Sequence, residues 1–398
     1  MRIITRTVLI LSLVSLFADI ASEMLYPVIP GYLKEIGFSV FMIGVLEGIV
    51  NFTAGISKGY FGKMSDERGL RLPFVKLGYF LSNISKPLLA LFTYPVWIFF
   101  VRTLDRLGKG VRTAARDALL SQEATPATKG RVFGFHRSMD TVGAAIGPII
   151  ALLFLYFFPG HYKPLFYYAF IPGILSILFV YLVKEKKQSA STLGKGNFLS
   201  YFKYWKIASP GFRAAVPGLL LFALFNSSDV FLLLVTRQAI GTGTISILGA
   251  TFNADTITIA AYILYNLVYA AASYPLGVLA DKFSYRSIIV FGLVVFAAVY
   301  FGFAFVHSIP LIFLLFGVYG LYSAATDGVI KAWITNLADG KNTATAIGFY
   351  TSCESICTLL ASTIAGAIWT TVGSSATFIT TAIVTVIVSF YFMLRTRN

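Results

Sequence analysis

Five basic side chains recur at helical spacing within one apolar stretch of this sequence. They are Arg102, Arg106, Lys109, Arg112 and Arg116. At ~100° per residue in a helix, all five lie on one face within about 120° of arc. An ionised side chain in an apolar medium costs ~2.5–3.5 kcal/mol, so this face needs water, a partner or a ligand. Guanidinium groups bind carboxylate and phosphate through paired hydrogen bonds, and the stripe therefore predicts a cavity that attracts anions.

A structural interpretation of the stripe stays open beside this one. Arg112 and Arg116 would then anchor lipid headgroups at the inner membrane surface. Arg102 would pair with Asp105 or with a carboxylate on the first apolar run.

Asp19 and Glu23 are the strongest candidates for proton coupling. They stand one helical turn apart on one face of the first apolar run. A carboxylate that is alternately exposed to water and paired with an arginine such as Arg102 can take up and release a proton in each cycle. The alternative is a static buried ion pair that holds two helices together.

Further ionisable residues within apolar runs are candidates for substrate binding. Together with Arg102, Arg106 and Lys109, they are Arg137, Asp140, Asp229, Asp327 and Glu354. Asp140 and Glu354 could equally be structural hydrogen-bonding groups.

Enzyme chemistry is poorly supported. The segment Gly55 to Gly59 fits a G-x-S-x-G pattern but lies in an apolar helical run rather than a strand-to-helix turn. The three histidines have no metal-ligand spacing, and no nucleotide-binding loop is visible. We therefore expect no enzymatic activity, no metal and no cofactor.

Composition predicts the elements that must position these residues. With 57% hydrophobic and 12% charged residues and a mean hydropathy of +0.78, the chain is typical of a multi-pass membrane protein. Continuous runs without ten-residue alternation argue against a membrane barrel. Runs of ~20 residues can cross the bilayer, and we predict twelve: 7–33, 39–62, 73–94, 96–120, 133–158, 164–184, 214–238, 256–280, 287–307, 310–334, 344–369 and 374–394.

Lysine and arginine accumulate in every second loop, which predicts the orientation. Basic loops stay in the cytoplasm, so both termini and the long loop 185–213 are expected inside the cell. The net charge of +15 is then explained by the membrane, with lipid headgroups rather than nucleic acid as partners.

The halves of the chain resemble each other. Gly62 to Asp66 matches Gly277 to Asp281, and Gly134 to Asp140 matches Gly348 to Glu354 at nearly the same offset. A duplicated six-helix unit builds a two-bundle transporter with its site between the bundles. We predict an N-terminal bundle at 1–184, a cytoplasmic linker at 185–213 and a C-terminal bundle at 214–398.

Three motifs resemble those of the major facilitator superfamily. The loop between predicted helices 2 and 3 has Gly62, Asp66, Arg68, Gly69 and Arg71, although Glu67 stands where the family usually has arginine. Predicted helix 4 has Arg102, Gly108 and Gly110. Predicted helix 5 has Gly143, Gly147 and Pro148, similar to a motif of the drug and metabolite antiporters, although such glycines also serve close helix packing.

The resemblance implies an all-α membrane protein with twelve transmembrane helices in two pseudo-symmetric six-helix bundles. Asp66 would contact the N-terminus of predicted helix 11 in one conformation only and act as a latch, or else form part of a solvated turn. Asp281 departs further from the motif, and we expect no firm latch there.

The function implied is secondary active transport, with proton-coupled export of small organic or amphiphilic compounds by alternating access as the first interpretation. The alternative is proton-coupled uptake of an anionic metabolite or phosphate ester, which the basic stripe favours. A membrane receptor or scaffold is the remaining class. We expect a monomer in a cell membrane, the inner membrane if the source is a Gram-negative bacterium.

Overall fold

The computed structural model describes the chain except for residues 1–3, 27, 39, 159, 186–198, 227–228, 242–244, 248–249, 253, 307 and 396–398. The first half holds α1 (Arg6–Glu23), α2 (Ile29–Glu35), α3 (Val40–Arg68), α4 (Leu72–Leu91), α5 (Pro95–Gln122), α6 (Lys129–Phe157) and α7 (Tyr162–Val180). A 3-10 turn (Ser200–Lys203) and α8 (Tyr204–Ile207) follow the linker residues. The second half holds α9 (Pro210–Phe225), α10 (Val230–Ile240), α11 (Ala254–Lys282), α12 (Tyr285–Phe303), α13 (Ile309–Leu337), α14 (Thr343–Thr371) and α15 (Ser374–Arg395).

A short antiparallel hairpin is the exception to helix in the described residues. Its strands are β1 (Ile245–Ile247) and β2 (Ala250–Phe252), paired with Ile245 opposite Phe252. The fold is thus the all-α class predicted from the sequence, with this small addition.

Local sequence signals begin several helices. The hydroxyls of Thr5 and Ser209 accept hydrogen bonds from the amides of Val8 and Phe212, both at 3.2 Å, which caps α1 and α9. Pro95 begins α5 at a position where a missing amide hydrogen does no harm.

Two of the twelve predicted runs are not continuous helices. The predicted run 7–33 is divided into α1 and α2, and the predicted run 214–238 into α9 and α10. The first division contains Pro27 in the sequence, and a proline disfavours helix both at its own position and just before it. The ten other runs each correspond to one helix, with ends that differ by a few residues.

Seven helices of the described residues are long and apolar enough to cross a membrane by length and composition. They are α6, α7 and α11 to α15, most of them in the second half. The first-half helices α1, α3, α4 and α5, which do not meet this criterion, all carry charged residues within their apolar runs.

The two halves repeat one packing arrangement. In the first half, α1 packs on α6 and α7, and in the second half α9 packs on α14 and α15 in the same way. Likewise, α5 packs on α3 and α4 in the first half, and α13 packs on α11 and α12 in the second. The repeated helices match in length, since α3, α6, α11 and α14 all have 29 residues. Across the halves, α3 packs on α14 and α6 packs on α11. The resulting space between the halves is where a site can form.

Candidate functional site

A cavity of about 330 Å³ lies between the two halves, and we call it the central cavity. Its lining comes from α1, α3, α5 and α6 on one side and α13 and α14 on the other. The lining residues are Asp19, Lys58, Lys109, Arg112, Thr113, Arg116, Arg137, Asp140, Asp327, Ile330, Lys331, Tyr350, Thr351 and Glu354.

The basic stripe of α5 contributes its inner part to this cavity. Arg112 and Arg116 are only 2% and 5% exposed, so the interpretation in which they anchor headgroups at the membrane surface is wrong. The guanidinium of Arg112 lies 4.1 Å from the ring centroid of Tyr79, and Arg116 Nη1 donates to Ser15 Oγ at 2.9 Å. These contacts hold the two cations inside the protein, where both line the cavity.

Ion pairs cross the cavity from one half to the other. Arg137 Nη2 on α6 donates to Asp327 Oδ2 on α13 at 2.5 Å, and the Tyr269 hydroxyl donates to the same oxygen. Lys331 Nζ on α13 lies 3.0 Å from Asp117 Oδ2 on α5. Movement of the halves apart at this level must break these pairs.

The sequence analysis did not include Lys58, Asp117 or Lys331 among the site residues. Asp327 and Lys331 stand one turn apart on α13, and this spacing was the available signal for the pairing of α13 with the charged first half. Lys58 stands on the long apolar helix α3, and a lysine within an apolar run was the available signal there.

A second polar pocket lies within the first half, and we call it the N-half pocket. It is lined by Ser22, Glu23, Leu25, Tyr26, Ile29, Ser85, Lys86, Leu89, Val101, Arg102, Asp105 and Arg106. Asp105 accepts from Lys86 Nζ at 2.9 Å, and Lys86 also donates to the Ser82 carbonyl at 2.6 Å. Lys86, which the sequence analysis overlooked, is thus the ion-pair partner of Asp105.

The predicted proton-coupling pair is divided between these two spaces. Asp19 lines the central cavity, whereas Glu23 lines the N-half pocket with Arg102 and Arg106. The predicted cationic site is divided in the same way, since Lys109 lines the central cavity. One face of a helix therefore serves two neighbouring polar spaces.

Asp229 and Glu354 have tyrosine partners. Glu354 lines the central cavity and accepts from the Tyr350 hydroxyl at 2.9 Å. Asp229 stands at the start of α10 within the second half, where it accepts from the Tyr319 hydroxyl at 2.7 Å.

Two aspartates join the halves beyond the cavity, at the end of the molecule where α3 and α11 end and α6 and α14 begin. We call it the basic end, because the lysine-rich and arginine-rich loops lie there. Asp66 Oδ2 accepts from the amide of Thr345 at 2.7 Å and from its hydroxyl at 2.9 Å, in the first turn of α14. Asp281 accepts from the amides of Gly130 at 2.7 Å and Arg131 at 2.9 Å, in the first turn of α6. The expectation that Asp281 makes no firm latch contact was wrong.

The residues around Asp66 hold it in place. Arg71 Nη2 donates to Asp66 Oδ1 at 2.8 Å, while Arg68 lies over the ring of Phe74 at 5.6 Å. Gly69 has a φ of 62°, which few residues other than glycine adopt. A side chain at Gly62 would lie 2.5 Å from the carbonyl oxygen of Ala344, so α3 and α14 cross closely here.

The glycines of α6 serve close packing within the first half. A Cβ at Gly143 would lie 2.6 Å from the Leu16 carbonyl oxygen, and one at Gly147 would lie 2.8 Å from the Ile20 carbonyl oxygen. Both contacts are with α1, which carries Asp19. Pro148 follows inside α6.

Comparison with known proteins agrees with this architecture. The family profile of the Major Facilitator Superfamily matches residues 11–254 and 230–398. An uncharacterised MFS-type transporter of Methanocaldococcus jannaschii is 32% identical over 373 residues, which cover 92% of this chain and 89% of the relative. Citrate exporter 1 of Aspergillus niger is 22% identical over 43% of this chain and 32% of its own length.

Solved structures show the same fold at low sequence identity. A fucose:proton symporter of Escherichia coli superposes with a TM-score of 0.78 at 13% identity, covering 100% of both chains. A human organic anion transporter superposes with a TM-score of 0.74 at 13% identity, covering 97% of this chain and 99% of the other. With its family profile, its full-length relative and its repeated packing of helices around a central cavity, the chain belongs to the major facilitator superfamily of membrane transporters.

Proposed function

We propose that this protein is a secondary active transporter that binds a small organic anion in the central cavity and moves it by alternating access, coupled to protons. The observation that carries the proposal is the charge of the lining, in which six cations stand against four carboxylates, with the buried Asp117 behind Arg116 and Lys331 as a fifth. The cations are Lys58, Lys109, Arg112, Arg116, Arg137 and Lys331, and the carboxylates are Asp19, Asp140, Asp327 and Glu354.

An anion is the ligand that this lining stabilises best. Charges at a few ångströms interact more strongly in a poorly hydrated cavity than in water, and arginine binds carboxylates through two parallel hydrogen bonds. An amphiphilic ligand would leave the charged groups desolvated without partners, which is unfavourable. The lining thus supports the anion alternative over the amphiphilic compounds of the first interpretation, and 330 Å³ suits a small metabolite.

Arg137 is the cation best placed to bind a substrate carboxylate. The side chains of Arg137 and Asp327 are 31% and 39% exposed, although they form an ion pair. Asp327 thus holds the guanidinium at the edge of the cavity, where a carboxylate of the substrate could replace it. The exchange conserves one charged contact and removes one of the contacts that join the second half to the first.

Asp19 is the proposed carrier of the proton. It lines the cavity and interacts electrostatically with Lys109, Arg112 and Asp140. Protonation of Asp19 removes one negative charge from the cavity, so it favours binding of an anion, and by linkage the anion favours protonation. A proton and an anion that bind together move in the same direction, which is uptake under an inward proton gradient.

The experiment uses purified protein in proteoliposomes with a panel of mono-, di- and tricarboxylates, chosen first by thermal stabilisation. Lys109→Gln should weaken binding of the preferred anion by ~1.5–3 kcal/mol, roughly ten- to hundredfold, because it removes one charge-assisted contact. Arg106→Gln, in the N-half pocket, is the matched control and should weaken it less. If no carboxylate or phosphate ester stabilises the protein and cationic compounds do, the anion proposal fails.

Asp19→Asn tests proton coupling separately. We expect it to abolish anion-driven proton movement while anion binding remains measurable. Glu23→Gln is the comparison, since Glu23 lies in the other pocket. If Asp19→Asn couples normally, the proton site lies elsewhere.

Export of the anion by exchange for protons is the second candidate. The antiporter-like Gly143, Gly147 and Pro148 and the name of the Aspergillus relative favour it. Accumulation driven by an outside-acid gradient supports uptake, and accumulation driven only by an inside-acid gradient supports export.

We also propose the arrangement in the cell. The basic end would face the cytoplasm with both termini, in a cell membrane, and residues 1–184 and 214–398 would move as two bundles joined by the linker 185–213. The protein would work as a monomer, with the substrate site formed between the two halves of one chain.

A further inference from the structure

The segment Ser200–Ile207, which links the halves, has two different faces. On the inner face Tyr201 and Tyr204 are 1% and 2% exposed. A Cβ at Gly59 of α3 would lie 2.4 Å from the Tyr201 ring and 2.7 Å from Ser352 Oγ of α14. Tyr201 thus fills the crossing of α3 and α14, one of the main places where the halves pack together. The linker segment is therefore part of the contact that closes the basic end.

The outer face combines apolar and basic side chains. Leu199, Phe202, Trp205 and Ile207 are 53%, 38%, 37% and 52% exposed. Lys203 and Lys206 lie between them and are also exposed. Large apolar side chains in this number are unfavourable in water and favourable at a membrane interface, where tryptophan and lysine are common.

A crevice of about 800 Å³ opens beside this face. It is lined by Lys203, Tyr204, Lys206, Ile207, Ser209, Asp339 and Asn342. Asp339 is engaged within its own turn, where it accepts from the Lys341 amide and the Asn342 side chain, both at 3.4 Å. The crevice therefore presents two lysine ammonium groups next to apolar surface.

We propose that this outer face, formed by Leu199, Phe202, Lys203, Trp205, Lys206 and Ile207, is a binding site for an anionic phospholipid. The lysines bind the phosphate, and the apolar side chains lie against the acyl chains. A soluble phosphate compound would satisfy the lysines but leave the apolar side chains in water. A lipid matches both the basic and the apolar side chains of this surface. Each basic residue near an anionic membrane surface contributes about 1 kcal/mol.

The site has a consequence for transport. Binding of lipid on the outer face holds the segment whose inner face places Tyr201 between α3 and α14. Anionic lipid therefore stabilises the conformation that is closed at the basic end. This inference concerns a different surface from the central cavity and does not depend on which substrate is transported.

Trp205 is a built-in reporter for the test. A single-tryptophan protein is made by Trp97→Phe, Trp333→Phe and Trp369→Phe, and is placed in phosphatidylcholine nanodiscs. A small fraction of the lipid is either brominated phosphatidylglycerol or brominated phosphatidylcholine, because bromine quenches tryptophan fluorescence at short range. We expect at least twofold stronger quenching by brominated phosphatidylglycerol.

In the double variant Lys203→Gln, Lys206→Gln, the two brominated lipids should quench the fluorescence of Trp205 equally. Both lysines are exposed, so the fold should be retained, which a thermal melt checks. The matched control Lys282→Gln removes another exposed lysine from the basic end and should preserve the preference for phosphatidylglycerol. Equal quenching by the two lipids in the unaltered single-tryptophan protein would overturn the proposal, as would a preference that survives loss of both lysines.

Inorganic phosphate should not displace the brominated lipid; displacement would identify the surface as a site for free phosphate.

Discussion

At the scale of single residues, the proposed site contains an ion pair that a substrate would have to replace. Asp327 pairs with Arg137, and the two side chains are 39% and 31% exposed. In the proposed mode of binding, this internal carboxylate would compete with the substrate for the guanidinium. Such a group would weaken binding but keep the cation paired once the substrate has left.

We expect Asp327→Asn to tighten binding of the preferred anion, by roughly tenfold if the competing contact is worth ~1.5 kcal/mol. The measurement is thermal stabilisation against anion concentration. Asp229→Asn is the matched control, because Asp229 bonds to Tyr319 within the second half and should leave anion affinity as it was. Weaker binding in Asp327→Asn would show that Asp327 supports the site instead of competing for it.

The sequence was sufficient to select most of the charged residues that line the two polar spaces, but it predicted only some of the ion pairs between them. Helical periodicity predicted that the five cations of α5 share a face, and they do line the central cavity and the N-half pocket in turn. The division between Asp19 and Glu23 was not predictable, because it depends on which neighbouring helix meets each turn of α1. Lys86 was missed for the same reason, since its partner Asp105 stands on another helix.

At the scale of the helices, close packing at glycine fixes the position of α1. Leu16 and Ile20 carbonyls lie where side chains at Gly143 and Gly147 would be. This contact holds the helix that carries Asp19 against the helix that carries Arg137 and Asp140.

Gly143→Ala should therefore destabilise the protein by ~1–3 kcal/mol, the usual effect of overpacking. Its melting temperature in detergent is the measurement. Gly317→Ala is the matched control, because a Cβ there would lie 4.0 Å from its nearest neighbour, Leu264, and alanine favours helix by up to about 1 kcal/mol. A melting temperature for Gly143→Ala at or above that of the unaltered protein would show that α1 and α6 can separate without loss.

At the scale of the helices, the second feature is the pair of contacts that Asp66 and Asp281 make at the starts of α14 and α6. Asp66 and Asp281 each satisfy free amides at a helix N-terminus of the opposite half. We expect Asp66→Asn with Asp281→Asn to open the basic end. Each change removes the negative charge and one of the two acceptor oxygens, and so weakens charge-assisted hydrogen bonds worth ~1.5–3 kcal/mol.

Spin labels at Arg6→Cys and Lys282→Cys in a Cys353→Ser, Cys357→Ser background measure this opening as a longer distance between the halves. Asp339→Asn is the control, since Asp339 bonds within its own turn. An unaltered distance distribution in the double variant would contradict the latch role.

The apolar runs and the repeat were predictable, whereas helix continuity was not. Ten predicted runs match single helices because ~20 apolar residues suffice to identify a span. The divisions between α1 and α2 and between α9 and α10 were missed, although Pro27 lies at the first and the polar run 226–229 lies at the second. The prediction followed the average apolar content of each run and gave these local signals no weight. Asp281 escaped because its motif is degenerate, and only the packing of α11 on α6 shows its partner.

At the scale of the whole molecule, lysine and arginine are concentrated in the loops at the basic end, which predicts that this end faces the cytoplasm. In a Cys353→Ser, Cys357→Ser background, Lys282→Cys at the basic end and Val372→Cys at the opposite end should label oppositely with an impermeant reagent. Both side chains are exposed. Intact cells should label Val372→Cys alone, and labelling of Lys282→Cys from outside would reverse the topology.

The charges of α5 also bear on how the polypeptide enters the bilayer during synthesis. This helix carries seven charged side chains in 28 residues, and it is not among the described helices that are apolar enough to cross a membrane alone. The translocon releases a segment sideways into lipid when its partition free energy is favourable, and central arginine or lysine opposes that release by ~2.5–3.5 kcal/mol each. Ribosome-bound α5 should therefore stay at the translocon until α3 and α4 shield its charged face. The first half would then enter the lipid as a group, while α11 to α15 of the second half can enter one by one.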